Sequence, residues 1–199
     1  MKTMLDVEVL APTSRTVGKS TVRTLVLFVP VMSSGILAGF FLTYGFTIMP
    51  GLATTEDQVF VEAFQGLERM FGTFEFGINW PVIFGYLCGP VVMAVAIALH
   101  RKSRPMRRWL LASLVLTLAT IAITQIFNVP LNDAITAAGD PTVTDAAQVR
   151  ADFRERWWRA WNLARSATAV GAFACLTWAL FVHARTTASG SAPETRWSA

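Results

Sequence analysis

The sequence predicts an all-α membrane protein: a four-transmembrane-helix bundle with an extra amphipathic helix in the first outside loop. Three observations carry this prediction. Hydrophobic residues make up 53% of the 199 positions and charged residues only 15%. Charge-poor apolar runs cover Thr24–Thr55, Trp80–Leu99, Trp109–Asn132 and Ser166–Val182. A helix needs about 20 mostly apolar residues to cross a hydrocarbon core of ~30 Å, and each run is close to that or beyond it. Lipid offers no hydrogen bonds to the backbone, which selects helices over open strands. The third observation is that basic residues sort by loop.

Lys2, Arg15, Lys19 and Arg23 precede the first run, and Arg101, Lys102, Arg104, Arg107 and Arg108 fill the link between the second and third. Arg185 and Arg196 follow the fourth. The loop after the first run instead carries Glu56, Asp57, Glu62, Glu68 and Glu75 against Arg69 alone. By the positive-inside rule, both termini and the middle link face the cytoplasm of a multi-pass plasma (inner) membrane protein. This sorting explains the net charge of +4 without nucleic acid as a partner. The implied partner is the bilayer, and no oligomeric state follows.

Residues 1–23 form a short cytoplasmic lead, broken by Pro12 and Gly18. Residues 24–184 form one membrane domain, with spans at about 24–49, 80–100, 109–129 and 157–183, and residues 185–199 a disordered cytoplasmic tail. The first run exceeds a signal-peptide core and has no small-residue cleavage site after it. In the first span, Gly35 and Gly39 have the small-xxx-small spacing that admits a neighbouring helix. Tyr44 lies near the outer end, where a phenol anchors at the interface. Gly85 and Gly89 repeat the spacing in the second span. Cys88 and Cys175 differ in depth by about 9 Å at ~1.5 Å per residue, too far for a disulfide.

In the outside segment between the first two spans, Thr55-x-x-Gln58 has capping-box spacing. Phe60, Phe64, Leu67 and Phe71 then form an apolar stripe, from which Gln58, Glu62 and Gln65 fall away. This helix either lies on the membrane surface or covers the outer mouth as a lid, and the acidic polar face favours the lid. Asn79-Trp80-Pro81 opens the second span, with Pro81 in a first turn. Pro130 restricts Val129 and removes a donor, so the third helix is expected to end or kink near Asn128. Gly139-Asp140-Pro141 breaks the second outside loop, and a polar helix begins near Thr144 or Asp145.

Two polar knots at the outer face carry the functional information. One is Thr124–Asn132. The other is Trp157–Arg165, in which Trp158, Trp161, Asn162 and Arg165 share one helical face. Trp157 and Trp158 read as an interfacial belt. Arg165 is the last ion before an uncharged stretch, where it either anchors the bundle or serves a pocket. His100 and His183 sit at the opposite ends of their spans, and no His/Cys cluster has metal-ligand spacing. Axial haem ligation by histidine at the outer mouth is excluded; Met or Tyr ligation stays open. There is no phosphate loop, no nucleophile elbow and no acid inside a span. What remains is a pocket of Gln65, Asn79, Gln125, Asn128, Asn132, Trp161, Asn162 and Arg165, able to hold a carbonyl or phenolate.

The Gly-rich first span, Gln65, Asn79-x-Pro81, Asn128-Val-Pro-Leu-Asn132 and Trp161-Asn162-x-x-Arg165 together resemble the anthrone oxygenase-like family of four-helix integral membrane proteins. The resemblance covers about residues 24–184. It implies oxidation of an anthrone to an anthraquinone by dioxygen, with no metal and no organic cofactor. Carried over, Arg165 and Asn162 would hold the oxyanion as catalytic residues. Gln65, Asn79, Asn128 and Asn132 would bind and orient the substrate, and Trp161 would stack on it. Glu62 and Asp133 are candidates for the proton acceptor by position only. The implied ligand is a small lipophilic aromatic or quinone-like molecule. A non-enzymatic bundle that binds a lipid, a hydrophobic ligand or a partner subunit is the alternative.

Overall fold

A computed structural model describes the backbone of residues 14–72 and 80–189, and side-chain surroundings for 21–70, 86 and 88–186. The lead at 1–13, Asn79, the side chains of Phe71 and Gly85, and the tail beyond Ser189 lie outside the described residues. The described residues are all-helical: α1 (Ser14–Thr43), α2 (Met49–Leu52), α3 (Asp57–Gly72), α4 (Trp80–Leu99), α5 (Arg104–Ile123), α6 (Val129–Ala137), α7 (Ala146–Phe153) and α8 (Glu155–Ser189).

Two joins decide the shape. A π-helical turn at Tyr44–Ile48 links α1 to α2, and a second at Thr124–Asn128 links α5 to α6. Each is followed by an X-Pro pair, Met49-Pro50 and Val129-Pro130, with proline in the first turn of the next helix. The third helix therefore does not end at Asn128, the first of the two outcomes its proline suggested. The amide before each proline reaches back five residues, Met49 to the Tyr44 carbonyl and Val129 to the Thr124 carbonyl, so the wider turn accommodates the ring. The resulting continuous helices, Thr21–Leu52 and Arg104–Ala137, are 32 and 34 residues long; with Ala146–Thr186, 41 residues long, they are apolar and long enough to cross a membrane. Cys88–Leu99 adds a shorter apolar helix.

Helix α8 is the hub, packing along α5 and α1, while α4 packs against α1 and α5. Small and hydroxyl residues bring the helices close, as lipid-immersed bundles require. The Ser113 hydroxyl donates to the Ala172 carbonyl at 3.0 Å. A methyl group on Gly171 would come within 3.2 Å of Leu116, and one on Gly35 within 3.0 Å of the Phe173 ring. Gly39 has open space, so only the first glycine of that pair meets a neighbour within the chain. One core, of Leu27, Met93, Ala96, Met106, Leu110, Leu176 and Ala179, fills the end near the α4–α5 link. Both cysteines are free.

A second core fills the other end and is aromatic. Phe60 and Phe64 of α3, Phe153 of α7, Tyr44 and Trp158 are all buried there. Tyr44 and Trp158 are thus core residues and not the interfacial anchors their positions suggested, whereas Trp157 is 46% exposed. The buried face of α3 contains Phe60, Val61, Phe64 and Gln65, turned toward α6 and α7. Gln65 therefore does not fall off the apolar stripe. Its amide donates to the carbonyls of Ile135 and Gly139, both at 2.9 Å. The Thr55 hydroxyl donates backwards to the Leu52 carbonyl at 2.7 Å, so it closes α2 instead of capping α3.

Arg150 staples the loops together. It donates to the carbonyls of Thr55 (2.9 Å) and Ala53 (3.3 Å) and to the carboxylates of Asp57 (3.0 Å) and Glu155 (3.3 Å). Its guanidinium also lies 4.3 Å from the Phe60 ring centre. Asp145 caps α7 through the Gln148 amide at 3.1 Å, and Arg154, at φ 55°, makes the left-handed break that turns α7 into α8.

Trp158 is 1% exposed, and its ring meets those of Tyr44, Phe64 and Phe153. Trp158→Ala is expected to destabilise the protein by about 3–5 kcal/mol. Trp158→Phe keeps a ring but leaves the Asn132 acceptor without its indole donor, at a cost of about 1–3 kcal/mol. Melting in detergent micelles followed by circular dichroism checks both, and equal melting temperatures for the two variants would contradict this account.

Candidate functional site

The aromatic core passes directly into a polar centre built on one face of α8. Trp158, Asn162 and Arg165 follow one another at helical spacing and are all buried, at 1%, 1% and 5% exposure. Arg165 Nε donates to Asn162 Oδ1 at 3.0 Å, and Asn162 Nδ2 donates to the Phe41 carbonyl at 3.3 Å. The guanidinium lies 4.5 Å from the Phe41 ring centre and 5.2 Å from that of Trp158. Aromatic faces attract a cation, and such contacts strengthen when water is excluded. Asn162 thus spends its carbonyl oxygen on orienting Arg165, and the remaining guanidinium N–H groups are left to meet other acceptors.

The charge of Arg165 is felt by Tyr86, Glu68 and Tyr44. These groups come from three different helical segments. Tyr44 starts the first π turn. Tyr86 on α4 lies 2.9 Å from Thr124 Oγ1 at the start of the second. Thr124 gives its own hydrogen to the Thr120 carbonyl at 2.8 Å, so the Tyr86 phenol is the donor of that pair.

Asn132 connects α8 to α3. Its Oδ1 accepts from Trp158 Nε1 at 2.7 Å, and its amide donates to the Glu68 carboxylate. Burial pushes the Glu68 carboxyl above the ordinary carboxylate range, while the Asn132 bond and the charge of Arg165 pull it part of the way back. A carboxylate of this kind can take up a proton near neutral pH more readily than an exposed one.

Asn128 is fully buried; its Nδ2 donates to the Trp158 carbonyl at 3.2 Å, and its Oδ1 has no hydrogen-bond partner. Trp161 lies flat on Phe127, with ring centres 3.5 Å apart and planes 1° apart, and Trp157 meets it edge-on. One face of Trp161 is therefore taken by Phe127, while its buried Nε1 has no hydrogen-bond partner. Unpaired buried polar atoms are rare and costly, so each marks a place where a ligand or water would be held.

The structure thus brings together Arg165, Asn162, Asn128 and Asn132. Trp161 lies beside them on Phe127, Gln65 is occupied in joining α3 to α6, and Asn79 is not among the described residues. Gln125, Glu62 and Asp133 are exposed. The acid that reaches the centre is Glu68. Glu68 follows Val61, Phe64 and Gln65 at seven, four and three residues and so lies on the side of α3 that the fold buries. Among the described residues no group of three His, Cys, Asp or Glu side chains could hold a metal ion.

A groove of about 400 Å³ runs between the first π turn and α8, lined by Gly45, Phe46, Pro50, Asn162 and Leu163, with Arg156 and Arg159 along it. Gly45 makes the close approach possible, since a methyl group there would lie 2.7 Å from Asn162 Nδ2. Asn162 cannot retreat without releasing Phe41 or Arg165. Gly45→Ala is therefore expected to cost about 1–3 kcal/mol, whereas Gly39→Ala, with open space around it, should be neutral or stabilising by up to about 1 kcal/mol. Melting temperatures of the two variants check this.

A family model described as anthrone oxygenase matches residues 76–175, half of the chain. No curated protein and no solved structure matches it. The matched stretch includes Asn128, Asn132, Trp161, Asn162 and Arg165, while Gln65 and Glu68 precede it. With its polar centre on the matched helices, the chain belongs to the anthrone oxygenase family.

Proposed function

We propose that this protein is a membrane-embedded oxygenase-like enzyme that oxidises a small lipophilic aromatic or quinone-like compound with dioxygen and no cofactor. The observation that carries the proposal is Arg165, buried in an apolar bundle with its Nε held by Asn162 and its charge directed at Tyr86, Glu68 and Tyr44. In this reading α4 supplies the fourth crossing of one membrane domain spanning residues 24–184, and α3 with α7 covers the outer end. Both termini lie on the cytoplasmic side of the plasma membrane, as the charge sorting supports.

In a compound of the anthrone type, an acidic C–H₂ group lies beside aromatic rings that also carry a ketone. Removal of one proton leaves an enolate whose charge collects on oxygen. Arg165 stabilises that oxyanion where water is excluded, an interaction stronger there than in solution. Asn162 positions Arg165, Asn128 and Asn132 orient the substrate, and Trp161 supplies an apolar wall. Glu68, held by Asn132, accepts the proton. The enolate carbon combines with O₂ and the proton returns to give a hydroperoxide, which loses water to leave a second carbonyl. Overall CH₂ plus O₂ gives C=O plus H₂O, so electrons and atoms balance without an added reductant.

A second reading is favoured by the groove beside Asn162, which joins apolar walls to two arginines. In that reading the bundle binds a lipid or another amphiphile, or docks a partner subunit, without turnover.

Oxygen uptake with an anthrone as probe, together with mass spectrometry of small molecules extracted from the purified protein, separates the two. For an enzyme, Arg165→Ala lowers turnover by about 100- to 1,000-fold. Arg165→Lys restores little, because it loses the bond from Nε to Asn162. Equal turnover in wild type and Arg165→Ala would sink the enzyme reading. No uptake, with only bulk lipid co-extracted, would favour the binder.

Glu68 gives a pH test with a definite sign. Its folded-state pKa is raised, so the folded protein holds this proton to higher pH than the unfolded chain does. The associated stability is present below the unfolded pKa and is lost as pH rises through the folded value. Glu68→Gln, which mimics the protonated carboxyl, should melt higher than wild type at neutral pH and alike in acid. It should also abolish turnover, and the wild-type rate should rise with pH through a midpoint above the ordinary carboxylate range. A Glu68→Gln variant that turns over normally would remove Glu68 from the mechanism.

A further inference from the structure

The opposite end of the bundle carries a second assembly that the oxygenase chemistry does not use. A groove of about 500 Å³ opens where α1, α4, α5 and α8 come together, and Arg23, Arg101, Lys102, Ser103, His100 and His183 line it. Among the described residues no carboxylate lines it, and the ion pairs of Arg150 and Arg159 lie at the Trp158 end. Sorting of basic residues to one side of a membrane explains their number. It does not explain their convergence on a cavity.

Three further features point to an anion. His100 is 7% exposed and lies edge-on to His183, with ring centres 5.2 Å apart. Its Nδ1 donates to the Ala96 carbonyl of its own helix at 2.9 Å, while its buried Nε2 has no hydrogen-bond partner. Ser103 stands at the N-terminus of α5 with extended backbone and no capping bond from its side chain. The first amides of a helix and the positive end of its dipole favour negative charge, and here the hydroxyl that would normally occupy them is unused.

The surroundings are those of a lipid more than a free ion. Val91, Val95 and Leu99 are exposed along one face of α4, four residues apart, and Leu99 itself lines the groove. A basic cavity at headgroup depth that continues into an exposed apolar lane matches a molecule with a phosphate head and hydrocarbon chains.

We propose that this groove is a binding site for the phosphate headgroup of an anionic phospholipid, with an acyl chain lying along Val91, Val95 and Leu99. Arg23, Arg101 and Lys102 supply the charge. The α5 N-terminus supplies directed hydrogen bonds, His100 donates from Nε2 once its ring takes up a second proton, and the lipid ties four helix ends together.

The test uses the full-length protein in detergent micelles, titrated with phosphatidylglycerol or with phosphatidylcholine of the same acyl chains. Native mass spectrometry counts bound lipid, and a melting curve reports stabilisation. Phosphatidylglycerol is expected to be retained and to raise the melting temperature, while phosphatidylcholine and millimolar inorganic phosphate do neither. Arg101→Ala with Lys102→Ala should weaken phosphatidylglycerol by roughly tenfold or more. Arg107→Ala with Arg108→Ala removes the same charge from outside the groove and should leave binding unchanged. His100→Gln tests the buried imidazole and should weaken binding without altering the response to phosphatidylcholine. Equal binding of the two lipids, or equal loss in both double variants, would overturn the proposal and leave only a diffuse surface charge. Stabilisation by inorganic phosphate alone would overturn the lipid assignment.

Discussion

A guanidinium inside an apolar bundle is the constraint on which the rest of the structure depends. Removing an ion from water costs several kcal/mol even after relaxation, and an arginine cannot escape by losing its proton. The bundle meets this cost with a set of partners: an amide for Nε, the faces of Phe41 and Trp158, and the charges and dipoles of Glu68, Tyr86 and Tyr44. Those partners dictate where α1, α3, α4 and α6 must sit around α8. The same residues that make the arginine tolerable hold it buried, where a charge acts more strongly on its neighbours than it would in water.

The two π turns show how the chain brings that set together. Each widens a membrane helix by one residue just before an X-Pro pair, and each delivers groups to α8. The first delivers Tyr44 and Gly45, and the second Thr124 and Asn128. In an uninterrupted α-helix these side chains would be rotated relative to the residues below them. Gly45 lets the Asn162 amide approach backbone, and Asn128 reaches the Trp158 carbonyl. Wider turns of this kind concentrate at functional sites because they reorient side chains without ending the helix.

The two ends of the bundle are electrostatic opposites. At one end carboxylates, carbonyls and arginines pair with one another, and Arg150 joins Thr55, Asp57 and Glu155 in one cluster. At the other, bases converge with no described carboxylate among them. Stability and chemistry also pull apart at Glu68, whose burial favours its protonated form against the opposing Asn132 bond, while proton transfer needs the ionised one. A site poised in this way is held in place by the aromatic core around it and not by its own energetics.

The sequence by itself determined that the chain is helical and enters a membrane, because length and apolarity are properties of a segment and lipid leaves the backbone no other choice. It also marked Asn128, Asn132, Asn162 and Arg165, since polar groups at the ends of apolar runs stand out against their neighbours. Only the tertiary structure decided which side each element turns. Glu62 and Glu68 are both acids on α3, yet six residues rotate a helix by roughly 240° net. Only the packing of Phe60 and Phe64 against Phe153 and Trp158 settles which of them faces Asn132. Trp158 and Tyr44 read as interfacial anchors for the same reason: aromatic residues near a membrane boundary look alike in sequence whether they face headgroups or a core. Partner choice across helices depends on contacts between distant segments, and local periodicity holds no record of them.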